Sequence, residues 1–533
     1  LDEFEEHAAR VRANQNRQAA NMKPAYDFIV CGSGSSGSVL ARRLAEDPHR
    51  SVLLLEAGGS DEVPAVMEAA RWPENLGSER DWAFQTRPNP HLNGRSLLCS
   101  MGKVLGGSSS INLMVWARGH QSDWDGFAEA AGDPAWNYQS VLAICRRIED
   151  WQGEPDPHRR GTGGLVFVQQ TPKPSPLATA FLEAAESFGI PTFADHNGAM
   201  MERTGGVALS NYRNRDGRRL SVFRSYLYPV MDRPNLTVLT GALVTRVLFS
   251  GRRASGVEVS VAGSSQRFRA AQETILCLGS VQTPKVLMQS GIGDGSHLRS
   301  FGIPVVEDLP GVGRNLQEHV LIGGCVFEYA NDDQFLGIGP EATFFARSEM
   351  SLPSPDLQAF LIDGPFVSPE LAPRAPAGPA WSITPGVVRP KSRGTIRLTG
   401  SSPADPLDID TGIFSDPADV RAAMAGVRLC RGIGNARPFS KLRKRETLPG
   451  DCSDAELETF VRNAAVPFWH YTSTAKMGSD RMSVVDGKLQ VHNVEGLRVA
   501  DGSIMPNVTT GNTMAPCVII GERAAEIIRR SDG

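Results

Sequence analysis

Tyr26-Asp27-Phe28-Ile29-Val30-Cys31-Gly32-Ser33-Gly34-Ser35-Ser36-Gly37 is the stretch that decides the fold. Its first six residues read as a buried strand, its glycines as a sharp turn, and the residues from about Ser38 to Glu46 as a helix. Ser51–Leu55 is a second buried strand, closed by Glu56-Ala57-Gly58-Gly59. Strand, helix and strand in this order make a βαβ unit, so a parallel sheet covered by helices is expected. Gly32 permits the tight turn, Gly34 lets the backbone approach a pyrophosphate, and Gly37 lets the helix pack close to the strand. The pyrophosphate is expected on the helix N-terminus at Ser35 and Ser36, where free N–H groups favour an anion. Glu56 follows Gly37 by 19 residues and can accept hydrogen bonds from ribose hydroxyls, with Ala57 beside it. The unit announces a dinucleotide and does not say which.

Outward from this unit, Leu236–Leu239 and Leu243–Phe249 alternate like strands. Gly256–Val261 and Phe268–Ala270 read as a hairpin, and Glu273–Leu278 as another buried strand. Pro284–Gln289 is a short helix stopped at Ser290-Gly291. From about Val320 to Leu448 strand-like pieces (Leu357–Ile362, Trp381–Val388, Gly394–Thr399) sit among Pro-rich loops, followed by a helix over about Pro417–Ile433. The end returns to strand, turn and helix through Leu497–Ala500 and about Ala515–Arg530. The division expected is an N-terminal extension over 1–25, a discontinuous dinucleotide domain over 26–160, 230–320 and 465–533, and a second, antiparallel domain over 161–229 and 321–464.

Hydrophobic residues make up 41% and charged residues 21% of the 533, ordinary for a globular chain with a large core. A net charge of −4 offers no basic field for nucleic acid. No apolar run is long enough to span a bilayer, and the N-terminal residues lack a secretory signal. The eight cysteines form no CxxC pair and sit mostly in apolar stretches, which predicts free thiols in a reducing, cytoplasmic setting. No HxxxH or Cys/His cluster predicts a metal.

Two further segments choose the cofactor. Gly102-Lys103-Val104-Leu105-Gly106-Gly107-Ser108-Ser109-Ser110-Ile111-Asn112 is a Gly/Ser turn with little side chain to obstruct a flat ring. Gly279-Ser280-Val281-Gln282-Thr283-Pro284 through Gly291-Ile292-Gly293 is a strand-to-helix turn with a glycine cap. With the N-terminal unit they resemble the signature patterns of the glucose–methanol–choline (GMC) oxidoreductases. Pro310–His319, Ser392–Leu398 and Leu497–Pro506 continue the likeness, which runs from about Tyr26 to Arg530. The resemblance implies an α/β fold: a Rossmann-like FAD-binding domain with a parallel sheet, and an α+β substrate domain with an antiparallel sheet. It implies FAD, with Val244 at the adenine, Asp501 and Gly502 by the pyrophosphate, and Gly102, Leu105, Gly106, Gly107, Ser109, Asn112 and Val115 around the flavin. Ile111 stands where some members attach FAD to a His, so non-covalent FAD is expected.

Within Val466–Gly478, His470 matches the family's catalytic base, with Tyr471 in place of a common Pro and Ser473 in place of a common Gly. Asn512, in Gly511–Pro516, matches the second member of the catalytic pair. Alone it reads as a helix N-cap, and with Thr513 and Met514 it would turn a helix N-terminus toward the flavin. The chemistry implied is removal of an alcohol's hydroxyl proton by a His tuned near working pH, with hydride passing to FAD and electrons to O2 or another acceptor. Leu321 stands where choline-oxidising members carry a Glu. Trp469, with Phe366 and Trp381 as further pocket candidates, resembles bacterial aryl-alcohol and hydroxymethylfurfural oxidases and suggests a primary alcohol on an aromatic or furan ring. A choline or aliphatic-alcohol dehydrogenase and an FAD-containing hydroxynitrile lyase are the alternatives.

Overall fold

Strand β1 (Ala25–Cys31) is apolar on both faces because sheet neighbours flank it and helices cover it. The computed structural model describes residues 23–171, 173–331 and 339–531, so all but the last three residues of the expected N-terminal extension lie outside it. Among the described residues, β1 belongs to a seven-stranded sheet with β2 (Val52–Leu55), β3 (Leu236–Leu239), β4 (Ala242–Ser250), β5 (Arg253–Val261), β6 (Ser264–Leu276) and β7 (Leu497–Val499). The order is β3-β2-β1-β6-β5-β4, with β7 also on β6. β1 runs parallel to β2, Phe28 opposite Val52 and Cys31 opposite Leu55, and parallel to the end of β6, Cys31 opposite Leu276. The start of β6 pairs antiparallel with β5. The expected hairpin arm and the strand after it are therefore one continuous strand.

Helix α1 (Ser35–Leu44) follows the glycine turn, and no side chain caps its N-terminus. Gly32 has φ +97°, and a Cβ there would lie 2.4 Å from the Cys277 carbonyl oxygen. A Cβ on Gly37 would lie 1.9 Å from the Gly32 oxygen. Both glycines are thus demanded by packing, as the fingerprint predicts. Helix α2 (Gly279–Gln289) starts before the expected Pro284, which lies inside it. Helix α3 (Met514–Ser531) lies on α1: a Cβ at Gly521 would sit 2.7 Å from the Ser36 oxygen, and the Ser36 hydroxyl donates to the Cys517 carbonyl at 2.7 Å.

A second, largely antiparallel sheet runs Arg443–Leu448, Val326–Tyr329, Ala380–Val387, Leu357–Ile362, Ala342–Ala346, Gly206–Leu209. Helices Pro176–Ser187 and Pro417–Asn435 cover one face, over a core separate from that of the first sheet. Val320–Ile322 joins this sheet across the boundary expected at 320, and it pairs with Ala465–Pro467, which was expected in the first domain. Two segments expected in the second domain pack in the first core. The ribbon Thr395–Leu398/Leu407–Asp410 buries Ile396, Leu398 and Ile409 there, and the turn Phe223–Leu227 buries Phe223, Tyr226 and Leu227.

Strand alternation decides what the second sheet shows to the cleft. In Leu357–Ile362, Leu357, Ala359 and Leu361 face the helices, whereas Phe360 and Ile362 face the other way. Trp381 belongs to the helix-facing set. It is fully buried between Phe327 and Phe439, with ring centroids at 4.4 and 4.5 Å, and it does not line the cleft as expected.

Candidate active site

A cleft opens where the two sheets meet. Its lining runs without a break from the glycine turn at Gly32 to His470 and Asn512, an extent that suits a dinucleotide plus a substrate. The turn before α1 lines it through Gly32, Gly34, Ser35 and Ser36. A Cβ on Gly34 would meet nothing within 4 Å, so the protein leaves space there for a ligand to approach. Glu56 and Ala57 line the same region. The Glu56 carboxylate accepts from the Ser33 N–H (3.0 Å) and hydroxyl (2.6 Å) and from the Gly58 N–H (2.8 Å), which outweighs little of its burial: its pKa lies above the usual range. Ser33, unmarked by the sequence reading, also accepts from the Gly106 N–H at 3.2 Å and ties the two glycine loops together.

Gly102, Gly107, Ser109, Asn112, Val115, Val244, Gly502, Thr513 and Met514 also line the cleft. Gly37, Leu105 and Gly106 stand behind that wall; Leu105 is buried in the first core. Asp501 lines the cleft and fastens the C-terminal turn to α2. It accepts from the Gly279 N–H (2.9 Å) and Thr283 hydroxyl (2.7 Å) on one oxygen and from Ser503 on the other. Burial raises its pKa. Ser280 and Gln282 of α2 line the cleft as well; their glycine-flanked motif was visible in the sequence, although no site role was drawn from it.

His470 and Asn512 come together from segments 42 residues apart, the Asn512 Nδ2 lying 3.3 Å from His470 Nε2. Gln358 Nε2 donates to Asn512 Oδ1 at 3.5 Å, which turns the amide so that its NH2 faces the imidazole. With the amide so turned, His470 Nε2 faces a donor and is left to accept, and Nδ1 lies 3.0 Å from His319 Nδ1. Glu318 accepts from the His470 backbone N–H at 2.8 Å. Burial without a counter-charge pushes His470 down to about 3, below the near-neutral range expected. His319 is lowered by burial and then by His470. Sequence reading missed Gln358 and His319; a lone buried Gln or His carries no pattern.

Phe468 stacks on His470 at 4.7 Å and belongs to an apolar cluster with Val115, Tyr212, Leu321 and Phe360, bordered by Ile362 and Phe366. Trp469 lines the cleft beside them, its indole N–H donating to the Leu98 carbonyl at 3.2 Å. Its φ is +60° and that of Ser473 is +76°, both in the left-handed region. The Ser473 value explains why a glycine is common there. Leu321 lines this part of the cleft, and no acidic side chain does among the described residues.

The family model for the GMC oxidoreductase N-terminal part matches residues 26–321, and that for the C-terminal part matches 390–521. The chain belongs to the GMC oxidoreductase family. Relatives of this GMC oxidoreductase include an alcohol dehydrogenase [acceptor] of Pseudomonas putida, 36% identical with 95% of this chain and 96% of the relative covered. An oxygen-dependent choline dehydrogenase of Klebsiella pneumoniae is 38% identical, over 95% and 96%. Among solved structures, pyridoxine 4-oxidase from Mesorbium loti superposes with a TM-score of 0.90 at 33% identity, over 95% of this chain and 99% of that one.

The GMC oxidoreductase is thus an FAD-dependent alcohol oxidoreductase, and its cleft fits the cofactor: an uncapped helix N-terminus for a pyrophosphate, an open face at Gly34, and length beyond any single ring. Among the described residues no group of three His, Cys, Asp or Glu could hold a metal, and no helix is long and apolar enough to cross a membrane. All eight cysteines are free.

Proposed function

We propose that this GMC oxidoreductase oxidises a primary alcohol carried on a flat, uncharged aromatic or furan ring to the aldehyde, with electrons passing to O2 or another acceptor. The observation that carries the reading is the proton-accepting Nε2 of His470 set against an aromatic wall without a carboxylate. FAD, when bound, supplies the hydride acceptor. His470 takes the hydroxyl proton on Nε2, and that N–H with the Asn512 NH2 holds the alkoxide as its charge develops. Phe468 and Trp469 stack against the ring of the substrate, and the wall around Phe360 and Phe366 excludes water, which strengthens these hydrogen bonds. Glu56 holds the ribose and the start of α1 the pyrophosphate. The start of α3 directs N–H groups toward negative charge on the ring system. Ile111 in the cleft offers no bond to the flavin, so FAD is held non-covalently. Eight free thiols support a reducing, cytoplasmic setting.

Likeness to a pyridoxine oxidase supports a ring-borne alcohol. Likeness to choline dehydrogenases favours a second reading, a quaternary-ammonium alcohol, but apolar Leu321 gives such a cation nothing to pair with. Anaerobic bleaching of the flavin by benzyl alcohol, hydroxymethylfurfural, pyridoxine, choline and mandelonitrile separates these. Bleaching by the ring alcohols is expected. Bleaching by choline alone gives the second reading, and turnover of mandelonitrile without bleaching gives a lyase. Admission of air then shows whether O2 reoxidises the flavin with peroxide release.

A further inference from the structure

Behind the flavin side of the cleft wall lie two arginines that the chemistry above does not use. A two-stranded ribbon, Asn214–Arg215 with Arg218–Arg219, brings Arg213 and Arg219 to its base, where the Leu220 N–H donates to the Arg213 carbonyl at 2.9 Å. The side chains are 0% and 1% exposed. Arg219 donates to the Val66 carbonyl and to Asn112 Oδ1, both at 2.9 Å, and to the Ser109 carbonyl at 3.3 Å. Arg213 donates to the Ser225 hydroxyl at 2.6 Å, approaches Met514 Sδ at 4.0 Å, and sits 5.4 Å from the Trp116 ring centre. Arg213 Nε and Arg219 Nη2 are buried without a hydrogen-bond partner.

Among the described residues no carboxylate offsets either charge. Burial holds Arg213 down to about 10, and burial plus repulsion from Arg213 holds Arg219 down to about 9, so both remain cations at neutral pH. Glu522, which the Tyr226 hydroxyl reaches, is taken up by Arg43 and Arg147. Two like charges buried together without an anion are costly, and a negative charge bound nearby lowers that cost. Asn112, Ser109 and Met514 connect the pair to the cleft, since all three line it.

We propose that Arg213 and Arg219 are a built-in counter-charge for the flavin that favours its reduced, anionic state. The inference rests on FAD occupying the cleft. Alcohol oxidation sends the C–H hydrogen with two electrons to the flavin and the hydroxyl proton to His470, so the reduced ring system carries one negative charge more than the oxidised one. The guanidiniums act on that charge through the wall, without contact, in a region too dry to screen them. They raise the reduction potential and strengthen binding of anions that add to the oxidised ring, sulfite among them.

The test compares FAD-loaded wild type with Arg213→Met, Arg213→Lys and Ser225→Asp. Arg213→Met removes one charge and a single strong hydrogen bond; Ser225→Asp keeps the guanidinium and neutralises it. Both are expected to shift the two-electron reduction equilibrium about tenfold toward oxidised flavin, about 30 mV, and to weaken sulfite binding by a similar factor. Arg213→Lys is expected to keep the wild-type potential. Should Arg213→Met fail to fold, Ser225→Asp decides. Loaded variants with unchanged potential and sulfite affinity overturn the inference, whereas a wild-type protein that holds no FAD overturns the reading beneath it.

Discussion

His470 shows how one side chain is prepared by its neighbours. Gln358 orients Asn512, Asn512 faces Nε2, and His319 meets Nδ1, so Nε2 is left to accept before a substrate arrives. His470→Ala is expected to retain FAD and to lose about 10²–10⁴-fold in the anaerobic rate of flavin reduction by its alcohol, measured in a stopped-flow instrument. Unchanged reduction removes His470 from the mechanism. A second prediction concerns His196, buried with Nε2 on the Trp116 carbonyl at 2.9 Å and its pKa lowered to about 4, chiefly by burial. Folding lowers this pKa below its unfolded value, so the unfolded chain binds the extra proton between about pH 6.5 and 4. Wild type therefore loses stability over that window as pH falls. A His196→Gln variant lacks this loss, and its stability deficit in urea unfolding is expected to shrink by about 3 kcal/mol between pH 7 and pH 4. His470 and Asn512 were legible because long motifs flank them. Gln358, His319 and Ser33 were not, because a polar side chain that serves another side chain leaves no periodicity.

At the scale of elements, the glycine turn separates packing from binding. Gly37→Ala forces a Cβ onto the Gly32 oxygen and is expected to lower folding stability by about 1–3 kcal/mol or more. Gly34→Ala meets no protein atom and is expected to cost less than about 1 kcal/mol, yet to leave the purified protein poor in FAD. Urea midpoints of the FAD-free variants and their flavin content as purified measure the two effects separately. The βαβ unit was read correctly because its strands are buried on both faces and its turn admits few residues. The hairpin of Gly256–Val261 with Phe268–Ala270 formed as expected, but the expected break before Glu273 did not: a polar residue interrupts the apolar run at Ala271–Gln272 although β6 continues unbroken. Trp381 failed for another reason. Strand alternation says which residues share a face, but not which face meets the cleft, and Phe360 and Ile362 took the place expected of it.

For the whole molecule, the cleft is assembled where two sheets with separate cores meet, and its lining is drawn from segments throughout the chain. The two-layer plan was legible in the change of texture near Val320. The allegiance of the ribbon around Ile396 and of the turn around Phe223 was not, since a short apolar segment packs on whichever core tertiary folding brings near. If FAD is held by this enclosure and not by a bond, acid precipitation is expected to release all flavin into the supernatant; flavin retained on the pellet contradicts non-covalent binding.

The packing of α3 on α1, with Gly521 against Ser36, also has a bearing on when the protein becomes an enzyme. The helix that follows the fingerprint rests on a segment 481 residues further along the chain, and the site takes Asn512 from just before it. A nascent chain displays its nucleotide motif early but has no seat for the cofactor until β7 and α3 emerge. Loading with FAD therefore waits on β7 and α3, and a chain cut before them is expected to purify without flavin.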